Sequence, residues 1–120
     1  MTAARLQLGA AGEERAAAWY VAQGYAVLAR NWRCKEGEID LVCAKGRTLV
    51  ICEVKTRTGD RFGSGAEAVT SGKRRRIRRL AQLWLAEFKA RKDLVVRFDV
   101  ISVLCRPSSE PELRHIRGAF

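Results

Sequence analysis

The chain has a single histidine, His115, and none of its four cysteines (34, 43, 52 and 105) falls in a C-x-x-C pair. Zinc-binding spacing is therefore absent. Cys43 and Cys52 lie inside apolar runs and read as small core residues, which fits a reducing, cytoplasmic setting. The N-terminus lacks an apolar h-region, so no signal peptide is expected. No apolar stretch is long enough to span a bilayer, so no membrane partner is expected either. Internal repeats, low-complexity tracts and inter-domain linkers are missing too, and residues 1–120 read as one domain. The hydrophobic fraction of 48% supports a globular chain over a disordered one.

Acidic residues are in deficit. Lys plus Arg is 23 against 13 Asp plus Glu, a formal net charge of +10. Such an excess favours a polyanionic partner, because each phosphate contact releases condensed counterions. A basic solubility coat or attraction to anionic lipid would leave the same composition. Nucleic acid is the preferred reading, and DNA the preferred form of it.

Residues from about Gly9 to Gln23 read as a helix. Ala16, Ala17, Tyr20 and Val21 recur at helical spacing, and Gly24 is a C-terminal stop. Glu13 lies four before Ala17 and seven before Tyr20, so it faces the apolar side, while Glu14 points sideways. Strands are predicted over Tyr25–Arg33, Glu38–Lys45 and Thr48–Arg57. Thr58 to Ser71 is rich in Gly and Thr and reads as a loop. A second helix follows, with Ile77, Leu80, Ala81, Trp84, Leu85 and Phe88 on one stripe. Val95–Leu104 is a further strand, and Glu112–Arg117 a short edge strand. The predicted order is α-β-β-β-α-β with a possible last β. Trp19, Trp32 and Trp84 read as core, Asp99 as the partner of an arginine, and His115 is given no role.

Gly46-Arg47, with Gly first, suits a two-residue type II′ hairpin loop. Lys45 then pairs with Thr48, and counting outward sets Asp40 opposite Glu53 and Glu38 opposite Lys55. Period-two alternation places Glu38, Asp40, Glu53, Lys55 and Arg57 on one face. Ile39, Leu41, Val50, Cys52 and Val54 fall on the other, which reads as the core face. Opposed carboxylates destabilise a sheet unless something compensates. Mg²⁺ does so, since it takes one or two carboxylates plus waters and phosphate oxygens. Lys55 beside them can orient or deprotonate an attacking water, or steady a developing negative charge. Glu38 and Glu13 are candidate outer groups. Solvated charges on an open face, with Lys55 neutralising Glu38, are the plainer alternative.

Lys73, Arg74, Arg75, Arg76, Arg78 and Arg79 crowd the start of the second helix. Cations are unfavourable there, and like charges one turn apart repel, which suggests a surface meant for phosphate. Lys73 continues the apolar stripe and should point toward the sheet.

Several segments together resemble one family. Gly37 to Leu41 reads GEIDL, and Glu53 to Arg57 reads EVKTR. Phe62-Gly63, Val69, Lys73 and Arg97-Phe98-Asp99-Val100 follow in order, with Gly12-Glu13, Ala16 and Asn31 ahead of them. From about Gly12 to Val103 the chain resembles the YraN family of small bacterial proteins. The resemblance implies a restriction-endonuclease-like core, a central mixed sheet flanked by helices, shared with Holliday-junction resolvases and carrying the signature PD-(D/E)-x-K. Asp40 matches its first acid, Glu53 its second, Lys55 its lysine, and Glu13 its helix-borne glutamate. Ile39 stands where the signature has proline. The expected function is a metal-dependent phosphodiesterase acting on DNA, including branched or damaged structures. Asp40 and Glu53 would hold Mg²⁺ or Mn²⁺. Asp40, Glu53, Lys55 and Glu13 would form the catalytic set, while Lys73, Arg74, Arg75, Arg78, Arg79 and Arg57 would bind nucleic acid. A homodimer is left open. The alternative is a nucleic-acid-binding module of the same fold without turnover.

Overall fold

The computed structural model describes residues 3–59 and 70–120. The elements are α1 (Ala3–Ala22), β1 (Ala26–Cys34), β2 (Gly37–Lys45), β3 (Thr48–Thr58), α2 (Ser71–Glu87), β4 (Val95–Cys105) and β5 (Glu112–Ile116). The strands form one sheet in the order β1-β2-β3-β4-β5. Neighbours are antiparallel except β3 and β4, which run parallel. A parallel pair needs a crossover, and α2 supplies it. The result is an α/β fold with a mixed sheet flanked by two helices, in the expected element order with β5 on the edge. None of the described helices is long and apolar enough to cross a membrane.

Local chemistry accounts for the element ends. Gly24 (φ 90°) closes α1 in a Schellman arrangement, with Tyr25 N–H donating to Tyr20 O and Gly24 N–H to Val21 O. The accompanying hydrophobic contact is the edge-on packing of Tyr20 and Tyr25, 5.2 Å between ring centres. Gly46 has φ 59° and Arg47 is not left-handed, as a type II′ turn requires. Thr70 caps α2, its hydroxyl accepting from Lys73 N–H.

Both faces of the sheet are buried. Under α1, Ala16, Ala17 and Tyr20 pack on Leu41, Cys43, Val50, Cys52, Ile101 and Val103. Under α2, Leu80, Ala81 and Trp84 pack on Ile39, Val42, Leu49 and Ile51. Each fully buried aliphatic side chain contributes about 1.5–3 kcal/mol, so the two layers together define the fold.

Four expectations are corrected. The hairpin does not carry one charged and one apolar face: Val42, Leu49 and Ile51 extend the core along the face assigned to the charges. Ile39 joins the α2 side although Leu41, two residues on, joins the α1 side, so strict alternation fails at Asp40. Helix α1 begins at Ala3, six residues before the predicted start. Val21 and Phe88, assigned to apolar stripes, are 57% and 53% exposed. Val21 lies on the outer side of α1, and Phe88 is the C-cap of α2, already turning away and touching the core through Trp84 alone among the aromatic rings. Phe62, Gly63, Val69 and most of the Gly59–Gly65 loop lie outside the described residues.

Candidate active site

The β2–β3 ladder follows the predicted register from Lys45–Thr48 to Leu41–Cys52 and stops there. Asp40 and Glu53 are the next position along. The rung they would have formed is replaced: Asp40 Oδ2 accepts from Val54 N–H at 2.8 Å. Beyond this point β1 stays paired with β2 and β3 with β4. The sheet thus forks between two ribbons, and both carboxylates stand in the fork. Asn31 lies between the rungs Arg30–Leu41 and Trp32–Ile39, level with Asp40, and its φ of 50° marks where β1 bends. An asparagine tolerates this left-handed backbone better than most residues.

Glu53 and Lys55 are each 23% exposed and form an ion pair, Oε1 to Nζ at 3.0 Å. The predicted Glu38–Lys55 pairing does not occur. The ladder has ended before reaching it, and Glu38 instead meets Arg33 at 2.7 Å. The other oxygen of Glu53, Oε2, is buried with no hydrogen-bond partner among the described residues. A buried, unsatisfied carboxylate oxygen is costly unless a cation or donor completes it. Asp40 is strained in a related way. Burial raises its pKa most; the Val54 N–H works against this, and the charges of Glu13, Glu38 and Glu53 raise it further, to about 7. Near neutral pH the carboxyl therefore carries a proton much of the time.

Glu13 reaches this group from α1 because of the residue before it. A Cβ on Gly12 would stand 1.9 Å from Thr56 Oγ1, so only glycine lets the helix lie this close to β3. Glu13 opens into a cleft on the α1 side, with Val54, Thr56 and Arg57. On the α2 side, a cavity of about 240 Å³ runs from Asp40 and Glu53 to Lys73 and Arg76. Lys73 and Arg76, one turn apart on α2 and both exposed, line the outer end of this cavity.

The remaining cations of α2 differ among themselves. Arg79 pairs with Glu36 at 3.4 Å, and the Arg78 guanidinium lies 5.8 Å over the Phe98 ring. Lys73, Arg74, Arg75 and Arg76 have no ion-pair partner among the described residues. No acidic residue offsets them in the first turn of the helix.

These groups fit a divalent cation. Among the described residues no three His, Cys, Asp or Glu side chains converge. Mg²⁺ nevertheless binds through one or two carboxylates, leaving its other positions to water and phosphate. Glu53 Oε2, unpartnered among the described residues, and the crowded Asp40 are the two oxygens that would hold it.

The arginine partner expected for Asp99 is Arg97, but the sequence did not announce the acidic centre built around that pair. Asp99 is fully buried on the α1 side of β4. Arg97 grips both its oxygens at 2.8 and 2.9 Å, Tyr20 Oη donates at 2.8 Å, and Gly118 N–H at 3.0 Å. His115 Nε2 lies 2.8 Å away, its ring against Trp19 at 4.3 Å between centres. Burial pushes the Asp99 pKa up, but these donors overcome it and hold the carboxyl at about 2. The Arg97-x-Asp99 spacing on one strand was the available signal, since i and i+2 share a face.

Residues 12–103 match the model of an uncharacterised protein family, UPF0102. The chain is similar to a UPF0102 protein of Frankia casuarinae, 57% identical over 114 residues, covering 94% of this chain and 95% of that one. A Frankia alni relative is 55% identical over 113 residues (94% and 93%), and one from Mycobacterium marinum 50% over 119 residues (98% and 97%). With a family match over most of its length and relatives this similar from end to end, the chain belongs to the UPF0102 family.

Proposed function

We propose that the protein is a metal-dependent phosphodiesterase acting on DNA, built on a restriction-endonuclease-like core. The observation that carries this reading is the fork: Asp40 and Glu53 stand side by side, one oxygen of Glu53 has no partner among the described residues, and Lys55 is 3.0 Å from the other. Asp40 and Glu53 would hold Mg²⁺ or Mn²⁺, which when bound supplies a Lewis acid for a phosphoryl oxygen. Lys55 is placed to orient the attacking water and to steady the negative charge that develops on phosphorus oxygens. Glu13, behind Asp40, helps keep the fork acidic. Lys73, Arg74 and Arg75, without ion-pair partners among the described residues, offer charge at a helix N-terminus, where backbone N–H groups also favour phosphate. Arg57, in the α1-side cleft with Glu13, would add a separate phosphate contact on the other side of the sheet. The four free cysteines suit action in the cytoplasm.

Lys55→Ala tests the chemistry. It leaves both carboxylates in place, so DNA affinity should stay near the parent's. Single-turnover cleavage should fall roughly 10²- to 10⁴-fold, the usual worth of acid–base assistance. Equal cleavage rates would make Lys55 only the ion-pair partner of Glu53. A parent that cuts none of linear, flapped or four-way DNA with Mg²⁺ or Mn²⁺ would overturn the hydrolase reading.

A nucleic-acid-binding module without turnover is the second reading. It is favoured by the lack of a third converging metal-type side chain among the described residues. Both readings place phosphate on α2. Replacing Arg74 or Arg75 by Ala should lower the salt slope of DNA binding by about 1 and weaken unrelated sequences alike. Arg79→Ala should change the slope less, because Glu36 already neutralises it. An unaltered slope after removing Arg74 and Arg75 together would move the DNA to another surface.

A further inference from the structure

The cavity between α2 and the fork has a composition that a duplex does not explain. Its inner end is Asp40 and Glu53, and its outer end is Lys73 and Arg76. Between them lie Ile39 and Ile51 from the sheet and Ile77 and Leu80 from α2, with Glu36 and Glu38 on the rim, each already paired with an arginine, Arg79 and Arg33. Phosphates on the outside of a double helix can meet the arginines of α2 from above. They have no apolar part to enter the cavity, and the paired bases are stacked away from it.

We propose that this cavity receives one unstacked nucleotide, so that the substrate of the Asp40–Glu53 centre is a single strand, a flap or a frayed end. The inference rests on the nucleic-acid reading of the site given above. A volume of about 240 Å³ falls below the roughly 300 Å³ at which pockets for drug-sized ligands begin, which suits a single base. A nucleotide is also the ligand whose parts match the two kinds of lining. Its base has two apolar faces for the four aliphatic side chains, and its phosphate carries the charge that Lys73 and Arg76 lack among the described residues. The phosphodiester on the other side of that nucleotide's sugar then lies toward the carboxylates. Drawing a base from a duplex costs a few kcal/mol of pairing and stacking, and least where the base is already unpaired. Ile39, Ile51, Ile77 and Leu80 present no side-chain donor or acceptor, so these walls carry no hydrogen-bond code for base identity.

The test uses the full chain without divalent metal, so that binding is read apart from turnover. Oligonucleotides carrying the fluorescent base aminopurine at successive positions are titrated as single strands and as blunt duplexes of the same length. Aminopurine is dim when stacked and bright when it leaves the stack for an apolar site without aromatic rings. Brightening at one or a few positions of the single strand is expected, with the duplex bound about tenfold more weakly, the size of a small unstacking penalty. Ile77→Trp fills the cavity and should abolish the brightening. The double variant Lys73→Ala/Arg76→Ala, changed only at exposed positions, should weaken single-strand binding and lower its salt slope by about 2.

Binding with no brightening at any position would overturn the proposal. So would equal affinity for duplex and single strand, or no binding of either. Should Ile77→Trp fail to fold by circular dichroism, the double variant decides, and parental single-strand affinity in it overturns the slot. Brightening in a protein that cuts no DNA with Mg²⁺ or Mn²⁺ would retire the hydrolase and keep the slot. Cleavage without brightening would do the reverse.

Discussion

Asp40 and Asp99 are carboxylates on the same sheet, and the fold treats them in opposite ways. Asp99 is fully buried yet receives donors from Arg97, Tyr20, Gly118 and His115, and it stays ionised down to about pH 2. Asp40 is less buried, has a single backbone donor, and faces Glu13, Glu38 and Glu53; its pKa rises to about 7. One carboxylate is saturated by the chain itself. The other is left short of positive charge, although the molecule as a whole carries +10. Such a local deficit in a cationic protein is the feature on which the proposed metal site rests.

The largest expected effect tests the saturated side. Asp99→Ala strands the Arg97 guanidinium and the Tyr20 hydroxyl without their acceptor. It should destabilise the fold by about 3–5 kcal/mol, as breaking a buried ion pair does. Urea unfolding monitored by Trp fluorescence measures this. A loss below about 1 kcal/mol, the worth of one ordinary hydrogen bond, would erase the contrast between the two sites.

The next effect concerns pH and has opposite signs at the two groups. Asp99 has a folded pKa of about 2, below 3.8, so its stabilisation is present above pH 3.8 and is lost as pH falls toward 2. Asp40 has a folded pKa of about 7, above 3.8, so the folded state holds its proton more tightly and stability is lost as pH rises from 3.8 to 7. Asp40→Asn keeps an acceptor for Val54 N–H and removes that second loss. Without metal, the variant should exceed the parent by about 2–4 kcal/mol at pH 8 and match it near pH 3. Mg²⁺ should stabilise the parent at pH 8 and not the variant. A variant less stable than the parent at pH 8 would mean Asp40 is already satisfied.

The smallest effect sharpens the comparison. Tyr20→Phe removes one of several donors to Asp99 and should cost roughly 1.5 kcal/mol, the low end for a bond to a charged group. Cleavage or metal binding at the fork should not change. A change in either would mean that α1 transmits the state of Asp99 to Glu13.

The legible parts of this fold were those set by nearby residues. The Gly46 turn fixed the β2–β3 register, because a two-residue loop leaves no slack, and Asp40 and Glu53 followed from counting. The stripe of Ile77, Leu80 and Trp84 placed α2. The hairpin lacks a charged face because helices cover both sides of the sheet, and the charged-face reading assumed one wet side; Ile39 and Leu41 part company where the β2–β3 ladder ends, at Leu41–Cys52. Lys55 was matched to Glu38 by extending a ladder that ends at Leu41–Cys52; strand ends are not encoded in spacing. Asp99 was read as an arginine partner, and its neighbour Arg97 is one. Its other partners, Tyr20, His115 and Gly118, come from both ends of the chain, and no local pattern announces contacts at that distance.

The parallel pairing of β3 with β4 has a consequence in time. Asp40 and Glu53 are brought level by a hairpin closed over two residues, an event of about 1–10 μs in isolation. Lys73 and Arg76 arrive only when α2 has docked, and β4 joins Thr48 to Val95 across the whole crossover. Long closures of this kind come late, because their entropy must be overcome before any contact forms. The acidic half of the site is therefore local and early, and the basic half distant and late. Along the folding path, the two carboxylates stand level before the cations at the other end of the cavity are in place.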